Sequence, residues 1–346
     1  MHIRKSVLRF FRVGLLIACS AFVIFIAGCS DSKSNTADKQ LRIGIVVSPQ
    51  GLSDRGFNEM ANAGMKAAEK QFGAETVIIE PSTMNDYETS LRFFTAQKFD
   101  AIIAVGMGFI DSIRKISKER PDLLFFIVDS DISEGNVKGI SFREEEGSIL
   151  CGYLAASVSK TKKIGFIGGV KIPVVQRFLD GYKQGASLVS TDTQVIEKYV
   201  SEGFKGFNQA DVAKEIALEM FSEGCDVIFH AAGGSGQGVI SAAVETKKFV
   251  IGADMNQDGL APGLVLTSMV KRVDLVVENV VKTLHEGKST DSIKFSYGIS
   301  DGAIDLTDFQ FTRNVIGEEL IAKLNVLKQE IYSGKRKINR SPEPAK

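Results

Sequence analysis

Short apolar runs alternate with amphipathic stretches along the chain from Leu41 onward. In residues 57–72 the apolar side chains recur about every 3.6 positions, the period of a helix with one buried face. The same spacing relates Tyr87, Leu91 and Phe94. The apolar runs between such stretches are rich in β-branched residues and predict strands. They are RIGIVV, TVIIE, DAIIAVG, LLFFIVD, KIGFIGG, QVIEKYV, DVIFHAA, KFVIGAD and LVLTSMV.

Continuous apolar strands that alternate with amphipathic helices predict parallel sheets with helices on both faces. The alternation occurs twice, so we expect an α/β fold with two doubly wound parallel-sheet lobes and a ligand cleft between them. Residues 41–142 are assigned to the N-terminal lobe and residues 143–295 to the C-terminal lobe. Residues 296–346 are expected to return to the N-terminal lobe as a strand and turn, followed by a basic tail.

The first forty residues have a different pattern. MHIRKSVLRFFR carries basic but no acidic side chains and precedes the apolar run VGLLIACSAFVIFIAGC, as in an export signal. The end of this run, Ile26 to Cys29, resembles a bacterial lipobox, which implies cleavage before Cys29 and its diacylation. We therefore expect a signal peptide over 1–28 and a lipidated, disordered tether over 29–40. An uncleaved signal anchor is the alternative, because the run is barely shorter than the ~20 residues that span a bilayer.

Composition narrows the classes of function. The 346 residues are 44% apolar and have a formal net charge of zero. This gives ample core for two medium domains and argues against nucleic acid as a partner, because phosphate binding needs a positive surface. Cys151 and Cys225 lie in apolar runs and are expected to be buried thiols, with a disulfide as the alternative. The lipidated domain is expected at the cell membrane, facing the periplasm.

Candidate ligand-binding residues are found where the predicted strands end, because ligands of open parallel sheets bind beyond the carboxyl ends of the strands. This rule selects residues 48–58, 106–109, 129–131, 168–173, 230–238 and 254–259. In the first segment, one interpretation makes Asp54 a helix N-cap and Phe57 a core residue. In the other, Phe57 is a platform for a planar ring whose polar edge is bound by Asp54 and Asn58. The two interpretations are compatible.

The second lobe carries comparable residues. Phe204 and Phe207 precede a predicted helix, and a ring there would face Phe57 across the cleft, although a core role for one of the two is equally open. The glycine-rich turn at 230–240 lacks the Lys and Ser/Thr of a phosphate-binding loop. It is expected to bring free backbone N–H groups close to a ligand. His230 is expected to be packed or hydrogen-bonded rather than catalytic.

Charged residues also follow strands on both sides. Asp254 opens DMNQDG, which begins like a calcium-binding EF-hand loop, but the twelfth position is Val265 instead of the bidentate Glu. We therefore expect Asp254 to accept ligand hydroxyl groups and not to bind calcium. Lys271 is expected either to pair with Asp254 or to donate to the ligand, with a solvated lysine as the alternative. Asp129 ends the fourth strand and faces the cleft or caps the following turn.

Segments along the whole mature chain resemble, in order, the basic membrane protein family of bacterial lipoproteins and its purine nucleoside receptors. They include VVSPQGLSDRGFNE, FFIVDSD, FREEEGSILCGYLAA, GFNQADVAKEIALEMFSEGCDVIFHAAGGSGQGVISAA, IGADMNQ and TSMVKRVD. The resemblance implies a type I periplasmic-binding-protein fold that passes purine nucleosides (adenosine, guanosine, inosine) to an ABC permease. It implies a receptor and not an enzyme, without cofactor or metal.

The same resemblance implies three groups of site residues: a pair that sandwiches the base, residues that bind its edge, and residues that hold the ribose. These are Phe57 with Phe207, then Asp54, Asn58 and Asp129, then Gly233, Asp254 and Lys271.

Three alternatives remain at this point. A nucleoside hydrolase or phosphorylase would need a metal-binding carboxylate cluster, a poised acid–base pair or an Arg-rich phosphate pocket, and the predicted cleft residues show none of these. A receptor of the same fold for a sugar or an autoinducer stays open, because sugar faces also stack on aromatic rings. A host-matrix adhesin with an incidental cleft is the third.

Overall fold

The computed structural model describes residues 40–339. The expected signal peptide, Cys29 and the tether up to residue 39 lie outside this range. In chain order the strands are β1 (Arg42–Val46), β2 (Glu75–Ile79), β3 (Ala101–Val105), β4 (Leu124–Val128), β5 (Ser133–Glu134), β6 (Val137–Phe142), β7 (Lys163–Gly168), β8 (Gln194–Tyr199), β9 (Val227–Ala231), β10 (Phe249–Asp254), β11 (Val265–Lys271), β12 (Ser296–Tyr297) and β13 (Ile304–Leu306). The α-helices are α1 (Phe57–Phe72), α2 (Tyr87–Thr95), α3 (Ile110–Glu119), α4 (Glu144–Val158), α5 (Pro173–Val189), α6 (Ala210–Ser222), α7 (Gly236–Thr246), α8 (Val273–His285), α9 (Arg313–Ile316) and α10 (Glu318–Tyr332).

The strands form two sheets. The first has the order β12-β6-β4-β3-β1-β2, with β5 beside β6, and the second has the order β13-β11-β10-β9-β7-β8. Neighbouring strands are parallel, except that β5 runs antiparallel to β6 and β13 antiparallel to β11. The register of the first sheet places Ile45 of β1 opposite Ile78 of β2 and Ile103 of β3. These sheets confirm the predicted fold of two doubly wound lobes.

Both faces of the first sheet are covered, as its apolar strands predict. All five residues of β3 are buried. Ile103 and Val105 pack into the core on one face, and Ile102 and Ala104 pack into the core on the other. Successive side chains of a strand point to opposite faces, so a strand buried on both sides needs an unbroken apolar run.

Helices α4 and α5 pack at backbone contact in the second lobe. A Cβ atom on Gly152 would lie 1.9 Å from the Tyr182 carbonyl oxygen, and one on Gly185 would lie 2.0 Å from the Ile149 carbonyl oxygen. Only glycine permits this approach, because any larger residue would push the helices apart. This close packing matters for the cleft, because it brings Glu144, the first residue of α4, against the side chain of Arg177 on α5.

The return of the chain differs in part from the expectation for 296–346. β12 pairs with β6 in the first sheet as expected, but β13 pairs with β11, and α10 packs on α4 in the second lobe. The assignment of all of 296–346 to the N-terminal lobe is therefore wrong. Helix α8, expected in the second lobe, packs on α1 so closely that a Cβ on Gly64 would lie 2.4 Å from the Asp274 carbonyl oxygen. The chain thus crosses from one lobe to the other at three places.

Other expectations can be checked in the same region. Cys151 and Cys225 are both buried free thiols, which confirms the prediction against a disulfide. Within residues 40–339, every helix is too short or too polar to span a bilayer. Strand β6 was not predicted, because Lys138, Gly139 and Ser141 interrupt its apolar pattern.

Candidate functional site

A cavity lies between the lobes, at the carboxyl ends of the parallel strands. The residues that line it are Ser48, Gln50, Asp54, Phe57, Tyr87, Val105, Gly106, Met107, Gly108, Asp129, Ile172, Val174, Val175, Phe178, Phe204, Phe207, Ala231, Gly233, Asp254 and Lys271. Seven of the eight predicted ligand-binding residues are in this set, the exception being Asn58.

Phe57 brings an aromatic ring from the first lobe to the cavity. Phe57 is the first residue of α1 and is only half-buried. Its ring passes close to the backbone of Gly106, where a Cβ atom would lie 3.8 Å from a ring carbon. Gly106 has φ of 114°, a conformation that favours glycine, so the loop after β3 can turn beneath the ring without a side chain.

Asp54 caps α1 and borders the cavity at the same time. Its Oδ2 accepts the N–H of Asn58 at 2.8 Å, and its Oδ1 accepts the N–H groups of Gly56 at 3.0 Å and Glu59 at 3.1 Å. These bonds satisfy donors that a helix start leaves free. Burial raises the pKa of Asp54, and the three N–H groups oppose that rise. The expected capping role is met by this side chain from two residues before Gly56, which holds the N-cap position itself.

Asn58, expected at the edge of a ligand, is not among the residues that line the cavity. It is fully buried, and its Nδ2 donates to the carbonyl oxygens of Ser48 at 3.2 Å and Gly51 at 3.0 Å. Its Oδ1 accepts the Ser48 hydroxyl at 2.9 Å. The side chain therefore fixes the loop between β1 and α1, and with it the positions of Ser48 and Gln50 on the cavity wall.

The second lobe contributes the facing aromatic wall. Phe204 and Phe207 begin and end a short 3₁₀ turn, both are half-buried, and their ring centroids are 6.3 Å apart. The Phe207 ring lies on Gly169, where a Cβ atom would be 2.4 Å from a ring carbon. It also lies beside Gly233, whose φ of 52° and open Cα let the chain pass close to the ring. Both phenylalanines line the cavity, so either can present a ring to its interior.

Lys271 belongs to a buried charge network at the base of the cavity. Its Nζ lies 2.6 and 2.8 Å from the two carboxylate oxygens of Asp129 and 2.8 Å from Glu144 Oε1. Glu144 Oε2 in turn accepts from Arg177 Nε at 2.6 Å. Lys271 therefore pairs with Asp129 and Glu144 and not with Asp254, which corrects one of its two expected roles. An ammonium group has three N–H donors, and the two carboxylates engage two of them.

The network sets the protonation of its members. Burial alone would raise the pKa of Glu144, but Lys271 and Arg177 bring it below its ordinary value. Burial raises the pKa of Asp129, although Lys271 opposes the rise. Burial lowers the pKa of Lys271, but the neighbouring carboxylates raise it overall. Glu144 thus stays ionised and Lys271 stays protonated, as a buried ion pair requires.

Asp254 ends β10 with a left-handed backbone, φ 68°, and its carboxylate lies at the cavity. A Cβ atom on Gly56 of the opposite lobe would lie 3.5 Å from its Oδ2. Burial raises the pKa of Asp254 to about 7, Lys271 opposes the rise, and the carboxylates of Asp129 and Asp54 add to it. Its charge is therefore sensitive to the physiological pH range.

The turn that follows Asp254 uses its polar groups internally. Asn256 Oδ1 accepts the N–H of Asp258 at 3.0 Å, and Asp258 Oδ1 accepts the Ser268 hydroxyl at 2.6 Å. Across residues 40–339, no three or more His, Cys, Asp or Glu side chains are grouped so that they could hold a metal ion.

Direct contacts join the two lobes beside the cavity. Gln257 Nε2 donates to the Arg55 carbonyl oxygen at 2.9 Å, and its Oε1 lies 3.0 Å from His230 Nε2. His230 is buried behind the cavity wall, and burial lowers its pKa to about 4, so the ring is neutral at neutral pH. The expectation of a packed, hydrogen-bonded histidine is confirmed.

Several cavity residues were not singled out from the sequence. Ser48 and Gln50 lie in a segment that the strand-end rule had selected, and this rule was the signal that could have found them. Tyr87 of α2 and Phe178 of α5 lie on the buried faces of helices, where a site residue and a core residue have the same pattern. Glu144 lies in an acidic first helical turn, which is usual at any helix N-terminus.

The two-lobed α/β fold with a cleft is shared with solved structures of solute-binding proteins and of repressors. A crystal structure of ABC transporter system solute-binding proteins from Aeropyrum pernix K1 superposes with a TM-score of 0.78 at 23% identity, covering 88% of this chain and 94% of that one. The lac repressor dimer bound to operator and an anti-inducer superposes with a TM-score of 0.57 at 17% identity, over 79% and 94% of the two chains. At these identities the likeness establishes the fold alone.

Sequence similarity defines the family. The chain belongs to the Bmp family, described as ABC transporter substrate-binding protein PnrA-like, whose profile matches residues 42–341. It is 32% identical over 341 residues to the ABC transporter nucleoside-binding protein BmpA of Lactococcus lactis subsp. cremoris, covering 91% of this chain and 95% of that protein. It is 33% identical over 353 residues to the CD4+ T-cell-stimulating antigen of Listeria innocua, covering 94% and 97%. Its role as a substrate-binding protein follows from the family.

Proposed function

We propose that this protein captures purine nucleosides, such as adenosine, guanosine and inosine, in the cavity between its lobes and passes them unchanged to an ABC permease. The observation that carries the proposal is a cavity with half-buried phenylalanine rings on walls from both lobes and carboxylates beside them. A purine needs two flat apolar surfaces, and a ribose needs charged hydrogen-bond partners. The nucleoside-binding relative from Lactococcus supports this choice of ligand.

The aromatic walls would hold the base. Phe57 on one side and Phe207, or its neighbour Phe204, on the other would stack on the two faces of the purine. Stacking of a base on an aromatic side chain contributes about 1–3 kcal/mol. Asp129 and Asp54 would line the polar edge of the base, where guanine offers N–H groups beyond the one it shares with the base of inosine.

The charged residues at the bottom of the cavity would hold the ribose. Asp254 would accept ribose hydroxyl groups, Lys271 would donate its third N–H, and the backbone N–H of Gly233 would also donate. Hydrogen bonds to charged groups contribute about 1.5–3 kcal/mol each. A few of them, added to the stacking, offset the cost of association and reach about −8 kcal/mol, the free energy of micromolar binding.

Attachment to the cell membrane through a lipid on Cys29 completes the proposal. The basic head, the apolar run and the sequence Ile26-Ala27-Gly28-Cys29 support it. A domain held at the outer face of the cytoplasmic membrane, toward the periplasm, can deliver its ligand to a permease in that membrane. Labelling cells with a radioactive fatty acid tests this step, because Cys29→Ser would abolish incorporation.

The proposed ligand can be identified without assuming it. The full-length protein is purified in detergent and unfolded in urea, and the released small molecules are identified by mass spectrometry. We expect a purine nucleoside. Calorimetric titration with inosine and ribose would then show binding of the nucleoside alone, and chromatography would show no free base after incubation. A sugar as the released ligand, or accumulation of free hypoxanthine, would contradict the proposal.

A further inference from the structure

Gln50 brings an unused hydrogen-bond acceptor to the cavity. It lies in the loop between β1 and α1 and lines the cavity. Its Oε1 is buried and, within the described part of the chain, has no hydrogen-bond partner. A buried amide oxygen without a partner costs free energy unless a ligand supplies a donor.

The orientation of this amide follows from its neighbour across the cleft. Gln50 Nε2 lies 3.5 Å from the carbonyl oxygen of Phe204 in the second lobe. This orientation pairs an amide donor with a carbonyl acceptor, whereas the opposite orientation would place two oxygen atoms 3.5 Å apart. The loop beneath is held by Asn58, which bonds Ser48 and Gly51 on either side of Gln50.

We infer that Gln50 is a specificity-determining residue whose Oε1 accepts an N–H group of the bound base, so that the cavity favours purines carrying a donor over those without one. The inference rests on the proposed binding of purine nucleosides. The amide reaches the backbone of Phe204, an aromatic wall residue, and therefore faces the heterocycle held at that wall rather than the charged residues at the base of the cavity.

The inference predicts a ranking among nucleosides that share one ribose. Inosine carries an N1–H, guanosine an N1–H and an amino group, and adenosine an amino group. Purine riboside has the same two rings and ribose but no N–H on its base. It should bind about tenfold more weakly than inosine, because the acceptor then stays unpaired.

The test is a comparison of two ligands on two variants of the full-length protein, by isothermal titration calorimetry. Gln50→Met keeps the length and volume of the side chain but removes the amide. We expect it to weaken inosine binding about tenfold and purine riboside binding by less than about twofold, which abolishes the preference. Retained binding of purine riboside would also show that the cavity of the variant is intact.

Gln209→Met is the matched control. Gln209 Oε1 is likewise buried without a partner in residues 40–339, but Gln209 is not among the residues that line the cavity. This variant should keep the preference of the wild type. An unchanged ratio in Gln50→Met, or an equal loss for both ligands as expected for a contact with the ribose, would overturn the role of Gln50. Failure of the wild type to bind any nucleoside would instead overturn the proposed function.

Discussion

At the scale of single residues, the positions at which predicted strands end identified most of the residues that line the cavity. Asp129 and Asp254 directly end or follow buried strands, and each has a left-handed backbone that turns its side chain toward the cleft. Asn58 bonds the loop beside it and does not line the cavity, so its contact with a ligand stays a prediction. Glu144 and Arg177 could not be found in this way, since their role depends on the packing of α4 on α5.

The buried lysine gives a first prediction on stability. Lys271→Met leaves the carboxylates of Asp129 and Glu144 buried beside each other without their shared cation. Removing one partner of a buried ion pair costs about 3–5 kcal/mol. We expect the free energy of unfolding, measured by urea denaturation at pH 7, to fall by that amount.

The control for this variant is Lys288→Met, which removes an exposed ion pair with Glu286 and should cost at most about 1 kcal/mol. Equal stability of Lys271→Met and the wild type would show that the network contributes nothing to the fold.

A second prediction concerns pH. The pKa of Asp254 is about 7 in the folded protein and near 3.8 in the unfolded chain. Between these values the unfolded chain releases its proton while the folded protein keeps it, so this residue makes folding less favourable as the pH rises from about 4 to about 7. In Asp254→Asn this contribution is absent. Without ligand, the free energy of unfolding of Asp254→Asn should therefore fall less than that of the wild type as the pH rises from about 4 to about 7. At pH 7 it should exceed that of the wild type.

Urea denaturation of both proteins at a series of pH values measures the difference. The difference between variant and wild type should grow from pH 4 to pH 7 and then level off. A difference that stays constant over this range would place the carboxylate of Asp254 in contact with water.

At the scale of elements, hydrophobic pattern was enough for long apolar strands and not for short or polar ones. β3 and β4 were predicted because helices cover both of their faces. β6 was missed because Gly139 packs at backbone distance, with a Cβ position 2.4 Å from the Ser130 carbonyl oxygen, and because polar residues flank that contact. The hydrophobic pattern does not show which strands pair with each other, and no local pattern marks β13 as a neighbour of β11.

The contact between α4 and α5 gives a third prediction. In Gly152→Ala the added methyl group would overlap the Tyr182 carbonyl oxygen, so the helices must separate. Overpacking of this kind costs about 1–3 kcal/mol and sometimes more. We expect a lower midpoint of urea unfolding, together with weaker inosine binding, because Glu144 and Arg177 are displaced relative to each other.

Gly259→Ala serves as the comparison, since no atom lies within 4 Å of its Cβ position. That variant should keep the midpoint of the wild type. If the two variants unfolded at the same urea concentration, the close approach of α4 and α5 would not constrain the fold.

At the scale of the whole molecule, the sequence predicted two lobes but not how the chain divides between them. The boundaries near 142 and 296 follow from the repeat of the alternation, whereas the position of α8 on α1 depends on small residues that meet only in three dimensions. The same exchange of segments places residues of both lobes around one cavity. Cross-cleft bonds, such as the one from Gln257 to the Arg55 carbonyl oxygen, then hold the lobes together beside it.

The central claim is that both lobes grip one planar base between phenylalanine rings. Calorimetric titration of inosine into Phe57→Ala tests it most directly. Phe93→Ala is the control, because Phe93 is 46% exposed and lies outside the cavity. We predict that Phe57→Ala binds inosine at least about tenfold more weakly than the wild type, with an unchanged unfolding midpoint, because a stacking contact of about 1–3 kcal/mol is lost. Affinity equal to that of the wild type and of Phe93→Ala would contradict the account.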